Sequence, residues 1–131
     1  MLDADYAKEW VEIAERDYAV ALFLNENFHP LPTENICYGC QQSVEKSLKA
    51  ILAYNEAKIP HTHDIELLQE LCKAYTDAIN MDMSITRALT RFATESRYPD
   101  SAFDFTKEDA ELGLEYAKLV LNKVKEVLRL T

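Results

Sequence analysis

Glycine and proline are scarce: two and four respectively in 131 residues. So few breakers argue against a sheet of many short strands, whose turns draw on those residues, and favour long uninterrupted helices. Positive charge is also short, with fourteen Lys and Arg against twenty-three Asp and Glu and a formal net charge of −9. That balance argues against generic binding along a nucleic-acid backbone, which needs clustered Lys and Arg. A small cationic pocket for phosphate remains open, because the cations are unevenly placed and Arg87, Arg91 and Arg97 share one short segment. Cysteine is limited to three residues, an odd number that suits a reducing cytoplasm better than a disulfide framework. No apolar run is long enough to span a bilayer, and Met1-Leu-Asp-Ala-Asp-Tyr6 lacks the basic start and apolar run of a signal peptide. A cytoplasmic location away from membranes is therefore expected. There is no Gly-rich phosphate loop, no legible Ser-His-Asp arrangement, no internal repeat and no low-complexity segment.

What the sequence does hold is apolar material at helical spacing. Hydrophobic residues make up 48% of the chain, enough for one core, and a single domain over residues 1–131 is expected. The organising stretch is Cys37 to Leu52. Cys37, Cys40, Val44, Leu48 and Ile51 share one face of a predicted central helix, and Gln42, Glu45, Lys46 and Lys49 form a second, polar stripe. The first helix is expected from Asp3 or Ala4 to about Asn25, with Tyr6, Trp10, Ile13, Val20 and Leu24 inward. Asp17 falls on that face and must meet a cation or donors, or reach water at the rim. After Pro30 and Pro32, Thr33 is the expected cap of the second helix, which runs to about Ala57; Gly39 within it would admit a neighbouring helix closely. Thr62 or Asp64 caps a third helix carrying Ile65, Leu68, Leu71, Cys72 and Tyr75, which breaks at Asn80 to Asp82. A fourth has Ile85, Ala88, Leu89 and Phe92 inward and ends before Pro99. Thr106 caps a fifth. Its apolar arc, built on Ala110, Leu114, Ala117, Leu121, Val124 and Leu128 and widened by Leu112, Leu119, Val120 and Val127, suggests burial against a second chain as well as within the bundle. An all-α up-and-down bundle of four or five helices, forming a homodimer, is the expected fold.

Two motifs invite metal or redox readings. Cys37-x-x-Cys40 lies inside a predicted helix on its apolar face, whereas redox pairs sit at exposed helix starts; two small core residues are the expectation. Zinc would need two further ligands from Cys72, His61 and His63. His61-Thr-His63-Asp64 lacks the additional ligands of a hydrolytic metal site, so no metal and no cofactor is expected. The loop is either a simple helix cap or a set of side chains that joins the polar stripe at the bundle mouth.

Asp17, then Gln41-Gln-Ser-Val-Glu-Lys-Ser-Leu-Lys-Ala50, then His61-Thr-His-Asp64, then Arg97-Tyr-Pro99 occur in that order along nearly the whole chain. In this the sequence resembles the HEPN family, the higher eukaryotes and prokaryotes nucleotide-binding domains. The resemblance implies a bundle of four or five helices, often dimeric, that in many members acts with a minimal nucleotidyltransferase, some of them as toxin–antitoxin pairs. Toxin-type members are metal-independent ribonucleases with an Arg followed a few residues later by His, and in one branch by a Tyr that the partner enzyme can adenylylate. Here Arg91-Phe-Ala-Thr-Glu-Ser96-Arg97-Tyr98 keeps the Arg and the Tyr but has serine in the histidine position. Ser96 has no group titrating near neutrality and cannot replace imidazole as acid or base.

The expected function is a non-catalytic accessory domain that binds a nucleotide or other phosphorylated ligand and works with a separate nucleotidyltransferase. Lys46, Lys49, Arg91 and Arg97 would contact phosphate, Tyr98 would stack or donate, Asp17 and Glu45 would orient the cations, and Gln42, His61 and His63 belong to the same ligand-binding set. The same set can instead be a salt-bridge cluster that fixes helix register. The rivals are a divergent ribonuclease toxin using Arg91, Arg97 and a loop histidine, and a pure dimerisation module without a pocket.

Overall fold

The computed structural model describes residues 2–95 and 104–130, and among these the secondary structure is five helices with no strand. They are α1 (Ala4–Asn27), α2 (Thr33–Tyr54), α3 (Ile65–Cys72), α4 (Met83–Thr94) and α5 (Lys107–Val127). α2 touches each of the other four. From Ile36 to Ala53 it leaves only Tyr38, Gly39, Gln42 and Lys46 outside the buried set, so the helix read as central is the axis of the bundle. Among the described residues no helix is long and apolar enough to cross a membrane.

The α1–α2 contact is built on small residues, and this corrects the expected inner face of α1. Ala7, Val11, Ala14 and Ala21 are buried, whereas Tyr6, Ile13 and Val20 are exposed and Trp10 and Leu24 are half-buried. The physical reason is close approach. A Cβ on Gly39 would stand 3.3 Å from Ala21 Cβ, and Ser43 Oγ donates to Ala14 O at 2.8 Å. Backbones that near admit only small side chains at the seam and push the large apolar ones to its flank.

The α5 arc is buried within the chain in part, with Leu112, Leu114 and Val127 half-buried. Ala110, Gly113, Ala117, Val120, Leu121 and Val124 are buried where α5 packs on α2 and α1, Leu128 just beyond its end is buried too, and Leu119 is its exposed large apolar residue. A Cβ on Gly113 would lie 3.0 Å from Cys40 Cβ, so α5 approaches α2 closely there. The row of exposed apolar residues lies on α1 instead.

Helix ends follow local chemistry. Asp3, Asp64, Asp82 and Thr106 cap α1, α3, α4 and α5 with side-chain oxygens, and Thr106 with Asp109 closes a reciprocal capping box. At α2 the cap residue is Pro32, and Thr33 is already helical with no side-chain cap bond. α3 ends at Cys72, earlier than expected, and leaves Leu71 and Tyr75 exposed. The chain after it is held by Gln69, which donates to Met81 O at 3.1 Å and accepts from Met81 N at 2.8 Å, while Ile79 and Met81 fill the core in place of another helical turn.

Candidate functional site

The site begins with a row along α2, Gln41, Glu45 and Lys49, all buried. Residues one helical turn apart in this way stand above one another. Beside it runs a second row, Gln42 and Lys46, half-buried at the rim. The chain turns back at the end of α2: Glu56 adopts a left-handed φ of 54°, and Ala57 N donates to Leu52 O at 3.0 Å. The returning loop then lays His63 over the middle of α2. Thr62 Oγ1 accepts from Asp64 N at 3.1 Å and Asp64 accepts from Leu67 N at 3.1 Å, which fixes the loop to the start of α3.

Glu45 is the centre. Its side chain is 2% exposed, and it accepts four hydrogen bonds. Oε1 receives Gln41 Nε2 at 3.2 Å and pairs with His63 Nδ1 at 2.8 Å. Oε2 receives Lys49 Nζ at 3.0 Å and Lys46 Nζ at 3.2 Å. Burial alone would raise the pKa of Glu45, but the bonds from His63 and Lys49, the charge of Lys46 and the bond from Gln41 outweigh it and hold the group below its ordinary 4.5. Glu45 is thus a buried carboxylate made tenable by complete pairing.

The cations differ in reach. The Lys49 side chain is 8% exposed and its Nζ also lies 5.9 Å from the centre of the Trp10 ring, within cation–π range. Lys46 is 20% exposed, and besides Glu45 it donates to Gln42 Oε1 at 3.0 Å. Asp17 is half-buried on α1 near Lys46; burial raises its pKa, while Lys46 and Arg16 pull it back and Glu45 adds to the rise. Of the sequence-predicted residues, Gln42, Glu45, Lys46, Lys49 and His63 are joined in one network, and Asp17 sits at its edge. His61 belongs to a neighbouring cleft of about 320 Å³ lined by Tyr6, Trp10, Lys49, Ile59 and Pro60. Arg91 is exposed near the end of α4; Thr90 beside it accepts from Ile65 N at 3.0 Å, which places the end of α4 against the start of α3. Arg87 pairs with Glu66 across the α3–α4 contact at 3.5 Å. Ser96, Arg97 and Tyr98 lie outside the described residues.

Gln41 is the residue the stripe analysis missed. Beyond Glu45 Oε1, its Nε2 donates to His63 O at 3.1 Å, and its Oε1 accepts from Gln42 Nε2 at 2.7 Å. The signal was present as the spacing 41, 45, 49, a row in which a polar amide is aligned with an ion pair. The thiols take no part. Cys37, Cys40 and Cys72 are buried, and burial first of all pushes Cys37 and Cys72 up to about 12 and Cys40 upward as well. Among the described residues no group of three His, Cys, Asp or Glu side chains could hold a metal ion.

Comparison with known proteins agrees with this architecture. The profile of the HEPN domain matches residues 7–127. The "Putative toxin MJ1304" of Methanocaldococcus jannaschii is 29% identical over 95% of this chain and 89% of its own length. Among solved structures, ST0689, an archaeal HEPN homologue, is 26% identical with a TM-score of 0.67 over 95% of this chain and 98% of that one. TT1696 from Thermus thermophilus superposes with a TM-score of 0.70 at 22% identity, over 94% of this chain and 98% of that one, a likeness of fold.

Proposed function

This chain belongs to the HEPN domain family, and we propose that it binds a phosphorylated ligand, a nucleotide or an RNA phosphate, at the mouth of the Glu45 cluster. One observation carries the reading: a single buried carboxylate gathers two ammonium groups and an imidazole on its two oxygens. Two lysines converge on one buried carboxylate, and Asp17 stands near Lys46 at the edge of the cluster. Lys46 is the cation that reaches water, and Lys49 holds the carboxylate beneath it. A fixed cation loses little on meeting phosphate, because its orientation has already been settled. Arg91 would approach from the end of α4, and Arg97 and Tyr98 complete the set by sequence.

In this reading the chain is an accessory domain that works in the cytoplasm as a homodimer with a separate nucleotidyltransferase, and the toxin name of the archaeal relative supports a toxin–antitoxin setting. A second reading, a ribonuclease, draws on the pairing of Glu45 with His63, since a carboxylate that orients an imidazole is how many acid–base sites are made. Calorimetric titration with nucleotides tests the first. Binding that weakens in Lys46→Ala supports it; no heat with any nucleotide, while Lys46→Ala merely lowers the melting temperature, would leave the cluster a device for helix register. A ribonuclease assay separates the second. Activity only in Ser96→His would fit the accessory role, and wild-type activity lost in His63→Ala would establish the enzyme.

A further inference from the structure

The chain between α3 and α4 meets the second half of α5 along a cleft of about 330 Å³. Local sequence shapes both walls. In the linker Ile79 and Met81 alternate with Asn80 and Asp82, so the two apolar residues are buried and the two polar ones stay exposed. Gln69 fixes this wall through its paired hydrogen bonds with the Met81 backbone, at 2.8 and 3.1 Å. On α5, Tyr116, Leu119, Val120 and Lys123 follow at steps that keep them on one face. Val120 is buried, Tyr116 is half-buried and Leu119 is 47% exposed. The apolar floor is thus built into the fold, as it is in most small-molecule sites.

The polar groups around that floor are unevenly engaged. Asp82 is taken up by the start of α4: Oδ1 accepts from Met83 N and Oδ2 from Ser84 Oγ, both at 2.9 Å, and the positive end of the helix dipole offsets its charge. Lys123 and Tyr116 have no such commitments. Among the described residues no carboxylate pairs with the Lys123 ammonium, and no hydrogen bond engages the Tyr116 hydroxyl. An unpaired ammonium beside an apolar floor complements a molecule with a hydrocarbon body and one anionic end. Inorganic phosphate has no apolar surface and would leave the floor uncovered.

We propose that this cleft binds a small apolar monocarboxylate. Its hydrocarbon body covers Ile79, Met81 and Val120, its carboxylate meets Lys123, and Tyr116 supplies a second donor. The cleft shares no residue with the Glu45 cluster, so the proposal stands apart from the phosphate-binding reading.

The experiment follows backbone amide shifts by NMR in the labelled full chain, with three probes: 3-phenylpropionate, the neutral 3-phenylpropanol and inorganic phosphate. The acid should bind in about the millimolar range, as befits so small a ligand, and should move amides from Ile79 to Asp82 and from Tyr116 to Lys123. It should bind about two- to fivefold tighter than the alcohol, the range of one exposed ion pair. Phosphate should leave these amides in place. Lys123→Met should erase the preference for the acid, whereas Lys118→Met, an exposed lysine of α5 outside the lining, should keep it. Leu119→Glu, at an exposed position where the fold tolerates a charge, should weaken the acid more than the alcohol. Equal affinity for acid and alcohol in the wild type, or a preference that survives Lys123→Met, overturns the proposal. So do shifts gathered on the exposed row of α1 instead of the cleft, and so does the absence of shifts at concentrations well above millimolar.

Discussion

Removing the Glu45 carboxylate should be among the most damaging single changes in this bundle. In Glu45→Ala four donors lose an acceptor, but they do not lose equally: Gln41 keeps its bond to the His63 carbonyl. His63, 56% exposed, and Lys46, 20% exposed, can turn to water. Lys49 cannot, because its side chain is 8% exposed beneath Trp10 and the loop. An ammonium left buried without its counter-ion costs about 3–5 kcal/mol. For a chain of this size that corresponds to a fall in melting temperature of roughly 10–20 °C. Thermal melts followed by far-ultraviolet circular dichroism measure it. Glu45→Gln keeps an acceptor for Lys49 and should lose less, and the double change Glu45→Leu with Lys49→Met should recover most of the loss by removing the stranded charge. A fall of under about 3 °C in Glu45→Ala, by the same conversion about 1 kcal/mol, would refute the burial argument for Lys49.

Acid should weaken the fold through the same group. Glu45 has a folded pKa below its ordinary 4.5, so its contribution is complete above that value and is lost as pH falls through the lower folded one. Asp17, raised above 3.8, acts in the opposite sense and gains stability as pH falls, so Asp17→Asn should steepen the acid loss seen in melts across that range. Cys37 and Cys72, pushed up to about 12 by burial, should resist iodoacetamide in the native protein for far longer than in denaturant; prompt native alkylation would show that the core opens. Gly113→Ala places a Cβ 3.0 Å from Cys40 Cβ and should lower stability by about 1–3 kcal/mol in urea titration, against a helix-propensity gain of about 1 kcal/mol. Light scattering should give twice the monomer mass for the wild type and the monomer mass for a chain carrying Ile13→Glu and Val20→Glu on the exposed row of α1; a monomeric wild type would remove the homodimer from the proposal.

Much of the bundle was legible because its signals are local. Scarce glycine and proline, and oxygen-bearing residues at Asp3, Asp64, Asp82 and Thr106, set where helices run and stop, since capping involves only the next few amides. The periodicity of α2 marked it as central, and its polar stripe marked the residues that gather around Glu45, because residues one turn apart on a helix stand together. The inner face of α1 was not legible. Hydrophobicity favours Tyr6, Ile13 and Val20 for burial, but the choice between them and the alanines depends on how near α2 comes. That is set by Gly39 and by the Ser43 hydroxyl on another helix. The α5 arc was legible as apolar, but a wide apolar surface does not say whether one neighbour or two will cover it. His63 and Gln41 show the limit most clearly. Sequence placed a histidine in a loop and a glutamine on a helix. Only the turn at Glu56, which carries the chain back over α2, brought the imidazole onto Glu45, because which atoms meet follows from the fold and not from their order along the chain.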